Sequence, residues 1–336
     1  MGAIVVAGHL CVDVIPALPA AAGVTPGELV EVGPPRISLG GCVGNTGLDL
    51  VALGSDVHLA ATIGDDAFGR LVIDLFAERG LSTTGLAQVD DLATSYSVII
   101  EIDGRDRAIW HHPGANGSFN GASVQLDDAD LVHIGYPTLL PGLLAFGAAP
   151  LIGLLQRSRA VGVTTSVDLA VLDPASPTAR VDWRALFAAT LPLTDLFTPS
   201  VDDLVSALNP GGDRSLEAAA LWAEWAVDSG VAVAVVSAGE EGMALAVAGR
   251  QRLQEAGRAF ASLGHWAGTR LRVPAIRPHV MVTTNGAGDA LSAGLLHAIT
   301  MAEAPIDALR FAAATAAVVM AGQQPTADRV QAILRP

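Results

Sequence analysis

Short apolar runs rich in β-branched residues alternate with longer segments of helical periodicity over most of the 336-residue chain. Buried strands are predicted at 3–8, 57–64, 129–135, 163–169, 196–199 and 231–237. Helices are predicted at 43–53, 67–79, 142–160, 184–190 and 215–228, and almost throughout the chain after Asp289. Because parallel strands need crossovers of this length, the alternation predicts an α/β fold whose mostly parallel sheet is covered by helices on both faces.

Two segments interrupt this alternation. Residues 94–112 have the pattern of two strands around an Asp103-Gly104 turn, and residues 13–36 are rich in proline and glycine without a helical pattern. They predict a small accessory sheet, formed by about residues 13–36 and 94–113, within a single domain spanning residues 1–336. Such a sheet is a lid over a ligand in one interpretation and an ordinary surface hairpin in the other.

The composition excludes several classes of protein. A hydrophobic fraction of 51% with 16% charged residues is typical of a packed globular protein and not of a disordered one. No uninterrupted apolar stretch reaches the length of a membrane span, and the start of the chain lacks the basic flank of a signal peptide. Since two cysteines give no disulfide framework, a cytoplasmic protein is expected.

Charge narrows the range of ligands. The formal net charge is −15, and all 19 basic residues are arginine. A strongly acidic chain without a basic run is a poor partner for nucleic acid or for an anionic membrane. The absence of lysine excludes Schiff-base chemistry and the Walker-type phosphate loop. If this chain handles phosphate, it has to use backbone amides, arginine or a metal ion.

Polar residues follow the ends of several predicted strands, where ligands bind in open parallel sheets. Asp13, Asp168 and Ser237 have such positions, and Asn45 lies in a helix that begins after two glycines. Each has an ordinary explanation as a cap or a turn residue. Together they predict one concave site at the carboxyl edge of the sheet.

The stretch TTNGAGDALSAGLLHAI, Thr283 to Ile299, joins a glycine-rich turn to an apolar helix with one acid, Asp289, at the junction. In one interpretation Asp289 caps the helix, since its side chain accepts from free backbone N–H groups. In the other, the amides of the turn bind an anion and the acid does chemistry beside it.

Four segments together resemble the ribokinase-like (PfkB-type) carbohydrate kinases over nearly the full length of the chain. The strongest are TTNGAGDALSAGLL and GGCVGNTGLDLVALG, and IGDDAFGRLV (63–72) and VVSAGEEGMAL (235–245) follow in the family's order and spacing. The resemblance implies a three-layer αβα sandwich with a mostly parallel central sheet and a small β-sheet lid. It also implies transfer of the ATP γ-phosphoryl group to a hydroxyl of a small neutral sugar, with Mg²⁺ bridging the ATP phosphates.

The resemblance implies roles for individual residues. The amides of Gly286, Ala287 and Gly288 would face the γ-phosphate, and Asp289 would accept the proton of the attacking hydroxyl. The acceptor site would consist of Asp13, Gly40, Gly41 and Asn45. The nucleotide site would consist of Ser237, Gly239, Gly242 and, near the adenine, Ala313. Asp203 would organise water bound to Mg²⁺.

The chain also departs from the family's pattern. Thr283 stands where relatives usually have an aspartate near a monovalent-cation site, so the resemblance gives no basis for expecting potassium activation. Ser200 and Asp203 replace an asparagine and a glutamate, and Ala313 replaces a residue that is polar in many relatives. Residues 250–273 are longer than the family pattern predicts and have no assigned role.

Several functions remain open at this level. The first is a kinase for an unphosphorylated sugar or, as an alternative of the same fold, for a nucleoside, because no cationic clamp for a sugar phosphate accompanies Asn45. The second is a catalytically weak relative that binds a sugar as a sensor. The third, a Rossmann dehydrogenase, lacks the GxGxxG fingerprint after the first strand. A homodimer formed through the lid is also left open.

The two cysteines adjoin the implied acceptor site, because Cys11 precedes Asp13 by two residues and Cys42 follows Gly41. One hypothesis is that their thiols line the site, so that mild alkylation inhibits the protein. The other is that both are inert packing residues, which is the usual state of a free cysteine.

Overall fold

The computed structural model describes residues 2–19, 26–27, 29–101 and 107–335. The strands in chain order are β1 (Ala3–Gly8), β2 (Cys11–Ala17), β3 (Gly33–Gly40), β4 (Val57–Gly64), β5 (Leu86–Val89), β6 (Tyr96–Ile100), β7 (Ala108–His112), β8 (Ala129–Gly135), β9 (Thr164–Asp168), β10 (Leu196–Phe197), β11 (Val233–Ser237), β12 (Met243–Val247) and β13 (Arg270–Val273). The helices are α1 (Gly41–Ala52), α2 (Ala67–Glu78), α3 (Ala145–Ala160), α4 (Trp183–Thr190), α5 (Val201–Leu208), α6 (Leu216–Asp228), α7 (Arg250–Gln254), α8 (Ala287–Thr300), α9 (Pro305–Met320) and α10 (Ala327–Leu334).

The main sheet has nine strands in the order β13-β12-β11-β10-β9-β8-β1-β4-β5. From β11 to β5 every neighbouring pair is parallel, while β12 and β13 add an antiparallel edge. All six predicted strands belong to this sheet, so the predicted α/β fold is confirmed. No helix in the described part of the chain has the length and apolar character that a membrane crossing needs.

Helices cover both faces of the main sheet, and the side chains of β1 alternate between the two cores. Ile4 and Val6 pack in the core that contains α1, α8 and α9, whereas Val5 and Ala7 pack in the core that contains α3 to α6. All four are at most 2% exposed. Full burial of one such branched side chain contributes about 1.5–3 kcal/mol to the free energy of folding. A strand that is covered on both faces is therefore apolar at every position, as this central strand is.

The helix predicted at 142–160 differs from the structure at its start. Residues Phe146, Gly147 and Ala148 at the beginning of α3 have positive φ values of 54°, 68° and 63°. Regular helix therefore follows this break, with Pro150 in the turn after it, where the missing N–H of proline costs least. The periodicity of the apolar residues continues across the break, and this is why the sequence predicted an earlier beginning.

The second sheet, called the lid, consists of β3, β2, β6 and β7 in that order. Both segments predicted to form an accessory sheet contribute to it, and the predicted Asp103-Gly104 turn lies outside the described residues. The register places one residue of each strand in a row across the lid: Ser38, Asp13, Ser97 and His111. Four polar side chains thus share one face of the lid at the same level.

Residues 250–273 close the main sheet at the amino ends of its strands. Arg258 donates to the carbonyl oxygen of Ala129 at the start of β8 (2.7 Å), and the hydroxyl of Thr164 at the start of β9 donates to the carbonyl oxygen of Ala256 (2.7 Å). Trp266 is fully buried and donates from Nε1 to the carbonyl oxygen of Glu303 (3.0 Å). The segment therefore stabilises the edge of the sheet that lies opposite the carboxyl ends.

Replacement of Trp266 by alanine tests this stabilising role. We expect Trp266→Ala to lower the free energy of unfolding by about 3–5 kcal/mol, because it leaves a cavity where a fully buried aromatic side chain was. The measurement is urea denaturation followed by circular dichroism. Trp110→Ala is the matched control, since Trp110 is 55% exposed on the lid and surface changes usually stay within about 0.5 kcal/mol. Equal losses in the two variants would contradict the assignment.

Candidate active site

The polar residues of the candidate site gather at the carboxyl edge of the main sheet. Tyr136 follows β8, Asp168 ends β9 and Thr198 follows β10, while helices α1 and α8 begin at the same edge. Because parallel strands end together, residues that are far apart in sequence become neighbours here. Ser292 on α8 illustrates this, since its hydroxyl lies 3.3 Å from both Asp168 Oδ2 and Thr198 Oγ1.

Asp289 lies at the centre of the site in the first turn of α8 and is 4% exposed. Its Oδ2 accepts a hydrogen bond from Asn45 Nδ2 (2.9 Å). Its Oδ1 accepts from the hydroxyl groups of Tyr136 (2.6 Å) and Thr46 (3.0 Å). No side chain caps the start of α8, where Gly286 is the N-cap residue. The carboxylate is thus directed towards α1 and Tyr136 and does not serve as the cap of its own helix.

Burial raises the pKa of Asp289, while the hydrogen bonds from Tyr136, Asn45 and Thr46 act in the opposite direction. Burial is also the main cause that raises the pKa of Asp13 and of Asp168, and the pKa of Asp203 is raised to about 6. The Asp289 carboxylate adds to the shift in all three. The site therefore contains four buried carboxyl groups that lie close enough to influence one another.

The glycine-rich turn before Asp289 presents the backbone amides of Gly286 and Gly288 for binding an anion, while the N–H of Ala287 donates to the carbonyl oxygen of Thr284 (3.4 Å). Gly286 has a φ of 77°, a left-handed conformation that glycine adopts without strain. The first N–H groups of α8 have no carbonyl partner inside the helix. A Cβ placed on Gly288 would meet no atom within 4 Å, so there is open space next to these amides. This arrangement fits the predicted contact with a phosphate group.

The predicted acceptor residues lie next to one another. A Cβ on Gly40 would lie 2.4 Å from the carboxylate of Asp13, and a Cβ on Gly41 would lie 2.3 Å from His9 Nδ1. Only glycine allows the start of α1 to approach these side chains so closely. Asp13 Oδ2 in turn accepts from Asn285 Nδ2 (3.4 Å), one residue before the glycine-rich turn. The structure thus joins the N-terminal and C-terminal motifs in one site.

The lid contacts the main body through a chain of hydrogen-bonding side chains. His111 Nε2 lies 3.2 Å from His9 Nε2, and His111 Nδ1 lies 3.2 Å from the hydroxyl of Ser97. Burial lowers the pKa of His111 to about 4, and burial followed by the neighbouring His111 lowers the pKa of His9. Both imidazoles are neutral at pH 7, so one of the two Nε2 atoms donates and the other accepts.

Two further contacts join the lid to the loop that precedes the glycine-rich turn. The hydroxyl of Thr283 donates to Glu101 Oε1 (2.7 Å), and Arg107 donates to the hydroxyl of Thr284 (2.9 Å). Glu101 also pairs with Arg36 at 3.6 Å. A lid carboxylate therefore lies beside position 283, where the family resemblance implied an aspartate in the loop itself.

The residues predicted to bind the nucleotide are only partly brought together. Ser237 ends β11 next to Gly239, and both Gly239 and Gly242 have positive φ values, of 54° and 118°. These glycines give the loop after β11 its sharp turn, and their contact with a nucleotide stays a prediction. Ala313 is 3% exposed within α9 and packs in the apolar core. Its contact with an adenine stays a prediction.

Asp203 has a structural role in addition to the one predicted. It forms a reciprocal cap at the start of α5, in which its Oδ2 accepts from the N–H and from the hydroxyl of Ser200, both at 2.7 Å. The hydroxyl of Ser200 in turn accepts from the N–H of Asp203 (3.1 Å). The two residues that depart from the family's pattern therefore depend on each other, and contact with a metal-bound water stays a prediction.

Sequence reasoning missed the two hydroxyl groups that bind Asp289 and the histidine pair. Tyr136 could have been found, because it directly follows the strand predicted at 129–135, and Asp168 lies near the end of the next predicted strand. Thr46 is adjacent to Asn45 and would have required the orientation of α1. The pairing of His9 with His111 carries no local signal, since it depends on how the lid sits over β1.

Both cysteines are buried beside the site. Cys11 is 2% exposed, and its thiol donates to Asp13 Oδ1 (3.3 Å). Cys42 is fully buried against the carbonyl oxygens of Ala7 and His9. Burial and the Asp13 carboxylate raise the pKa of Cys11, and burial and the Asp289 carboxylate raise the pKa of Cys42. The hypothesis that mild alkylation reaches these thiols is not supported, and the packing interpretation is favoured.

Comparison with known proteins agrees with this geometry. A family model described as pfkB family carbohydrate kinase matches residues 1–331. The ribokinase of Haemophilus influenzae is 23% identical over 296 residues, which are 87% of this chain and 84% of that protein.

Solved structures show the same fold. Arabidopsis thaliana ribokinase, complexed with ribose and ATP, has a TM-score of 0.73 at 19% identity, and the match covers 100% of this chain and 99% of that one. Burkholderia thailandensis nucleoside kinase, in complex with inosine, has a TM-score of 0.70 at 19% identity, with coverage of 98% and 97%. The three-layer arrangement with a small second sheet is therefore common to these proteins and to this chain.

The buried thiols allow a test of the packing around the site. We expect Ellman's reagent to leave Cys11 and Cys42 unmodified in the native protein and to modify both after denaturation in guanidinium. The reason is that the reactive species is the thiolate, which burial excludes both by access and by the raised pKa. Rapid modification of either thiol in the native protein would show that the lid side of the site is more open than described.

Proposed function

The chain belongs to the pfkB family of carbohydrate kinases, and from this membership we propose that it transfers the γ-phosphoryl group of ATP to a hydroxyl group of a small unphosphorylated sugar. One observation carries the proposal. The buried carboxylate of Asp289 lies beside the backbone amides of the glycine-rich turn and within hydrogen-bonding distance of Asn45, a predicted acceptor residue. The proposed base, the proposed anion site and the proposed acceptor site thus lie next to one another.

Asp13 and Asn45 would orient the acceptor so that one hydroxyl faces Asp289 Oδ2. As the hydroxyl oxygen forms its bond to the γ-phosphorus, its proton passes to Asp289 and the bond between that phosphorus and the leaving oxygen of ADP breaks. The products are the sugar phosphate and ADP, and the proton on Asp289 returns to solvent after release. Positioning contributes most to such a reaction, because little covalent chemistry is left to the protein.

The environment of Asp289 suits a base of this kind. Burial raises its pKa and so strengthens its affinity for the acceptor's proton, while its three hydrogen-bond donors favour the ionised form that has to accept it. General-base efficiency is greatest when the pKa lies near the working pH. Burial and hydrogen bonding therefore shift the pKa of Asp289 in opposite directions, and this combination suits a catalytic carboxylate at neutral pH.

The negative charge that develops on the transferred group would face backbone N–H groups. The chain has no lysine, and the amides of Gly286, Ala287 and Gly288 and the positive end of α8 would carry this role. The open space beside Gly288 supports the assignment, because a side chain there would fill the position of the phosphate.

Mg²⁺ fits the donor set of the site. The described residues contain no group of three or more His, Cys, Asp or Glu side chains arranged to hold a metal ion. A water-mediated contact with the buried carboxylate of Asp203 is compatible with this, since Mg²⁺ keeps several waters and prefers oxygen ligands. When bound with ATP, the ion supplies charge neutralisation on the phosphates.

The charges of the site favour an unphosphorylated acceptor. Asp13 accepts from Asn285 and Asp289 accepts from Asn45 where the acceptor would bind, and these carboxylates would repel a second phosphate there. The described lid arginines have partners elsewhere, since Arg36 pairs with Glu101 and Arg107 binds Thr284. A neutral sugar is therefore the proposed acceptor, and a nucleoside is the alternative that the experiment includes.

The Asp289→Asn variant tests the proposed base. Turnover should fall by roughly 10²–10⁴-fold, because the amide keeps the shape of the carboxylate and cannot accept the proton. The measurement is coupled release of ADP with a panel that contains D-ribose, D-fructose, adenosine and inosine. Binding of ATP, measured by calorimetry, should change little.

The control for this variant is Asp182→Asn. Asp182 is an ordinary helix cap, which accepts from the N–H of Ala185 at the start of α4, and asparagine caps helices equally well. Normal turnover in both variants would contradict the catalytic assignment of Asp289. Sugar binding by the wild-type protein without phosphoryl transfer to any member of the panel would instead favour the sensor.

Replacement of potassium tests the consequence of Thr283. We expect turnover to be unchanged when KCl is replaced by tetramethylammonium chloride at equal ionic strength, because Thr283 brings no charge to the loop and its hydroxyl donates to Glu101. The same assay of ADP release measures this. A loss of turnover that added K⁺ restores would contradict the expectation.

A further inference from the structure

Tyr136 has an unusual backbone conformation for its residue type and position. Its φ of 64° and ψ of 48° lie in the left-handed region, which a bulky aromatic residue rarely adopts. The next residue, Pro137, adds a second restriction, because a residue before proline favours extended conformations. Such a conformation persists only where surrounding contacts hold it, and it is typical of functional sites.

Backbone contacts on both sides hold Tyr136 in place. Its N–H donates to the carbonyl oxygen of Asp168 (3.1 Å), and its carbonyl oxygen accepts from the N–H of Leu139 (2.8 Å). The ring lies 5.8 Å from the ring of His9, measured between centroids. The conformation is therefore fixed by the ends of two strands and by the turn that follows β8.

The left-handed conformation changes the face of the sheet that the side chain reaches. Val132 and Ile134 on β8 pack in the core formed with α3 to α6. A strand that continued with its period of two would direct residue 136 to that same face. Tyr136 packs instead against the opposite core, which contains α1 and α8, and its hydroxyl reaches Asp289 Oδ1 at 2.6 Å.

We propose that Tyr136 is a positioning residue for phosphoryl transfer: its hydroxyl, together with that of Thr46, holds Oδ1 of Asp289 so that Oδ2 is the oxygen that accepts the acceptor's proton. The inference rests on the proposed function and deepens it. Tyr136 donates to the carboxylate in a short hydrogen bond, which is strong because the acceptor is charged. Loss of this bond frees the carboxylate to rotate and removes a donor that favours its ionised form.

A packing role for the ring is the competing explanation, and the chain offers a good control. It contains two tyrosines, and no hydrogen bond of the Tyr96 hydroxyl is found in the described part of the chain. Tyr96 lies on the lid, where its ring contacts Phe68 and His112. Phenylalanine at either position keeps the ring and removes only the hydroxyl. Tyr136→Phe and Tyr96→Phe therefore make the same chemical change, but only Tyr136→Phe removes the proposed hydrogen bond.

The first experiment detects the contact without any need for turnover. Protein labelled with ¹³C at tyrosine Cζ should give two NMR signals, which the two phenylalanine variants assign. In Asp289→Asn the signal of Tyr136 should move upfield, because the phenol no longer donates to a carboxylate, and the signal of Tyr96 should stay in place. An unchanged Tyr136 signal would show that the contact is not formed and would overturn the proposal.

The second experiment measures kcat against pH with ATP and whichever member of the four-acceptor panel the wild-type protein phosphorylates fastest. Tyr136→Phe should lower kcat by about 10- to 100-fold, as expected for the loss of a hydrogen bond to a charged group. The acidic limb of the profile should move to higher pH, because the lost donor lowered the pKa of Asp289. Tyr96→Phe should reproduce the wild-type profile.

The other charged groups near Asp289 are the same in all variants: Asp13 on β2, Asp49 on α1, Asp168 on β9, Asp203 on α5 and Arg107 beside β7. If the acidic limb of the pH profile shifts in Tyr136→Phe and not in Tyr96→Phe, the shift is therefore due to the lost hydroxyl of Tyr136. A wild-type profile for Tyr136→Phe would leave only the packing role and overturn the proposal. A wild-type protein that phosphorylates no member of the four-acceptor panel would overturn the proposed function and the positioning role together, and the wild-type assay identifies that case.

Discussion

The buried carboxylate of Asp289 is the constraint on which the rest of the site depends. Burial of an anion is costly unless hydrogen-bond donors surround it, and the donors here come from α1 and from the turn after β8. Asn45 is 244 residues away in sequence, so this one group ties the C-terminal motif to the N-terminal one. The start of α1, the end of β8 and the start of α8 therefore have to keep their relative positions for the carboxylate to remain satisfied.

The acidic character of the site determines how it can handle phosphate. Several buried carboxylates lie close enough to raise one another's pKa, and the chain has no lysine to balance them. Backbone amides at the start of α8 therefore supply positive potential at the site, as does Arg107, whose charge acts to lower the pKa of Asp289. The inner row of the lid contributes neutral His111, two serines and Asp13, which suit the hydroxyl groups of a neutral acceptor better than an anion.

The stabilising contacts of residues 250–273 and the candidate active site lie at opposite ends of the main sheet. Residues 250–273 close the amino ends of the strands, where Arg252 and Arg159 flank the fully buried Asp195. The carboxyl ends carry the strained backbone of Tyr136 and the cluster of carboxylates. A rigid closed end is one way in which a fold holds strained groups in place at the other.

The sequence by itself determined the α/β fold and the accessory sheet, because strand and helix periodicities are local signals. The glycine-rich turn singled out Asp289 as either a cap or a catalytic acid, and the family resemblance favoured the second. The sequence also predicted that Asp13 and Asn45 share a site, which followed from their positions near the carboxyl edge of the predicted sheet and from the family resemblance. Only the tertiary structure decided that Tyr136 and Thr46 bind the carboxylate, that His111 meets His9 and that Ala313 is buried. The physical reason is that these contacts depend on strand register, on the rotation of α1 and α9, and on one left-handed residue that reverses the alternation of β8. None of these leaves a pattern in neighbouring residues.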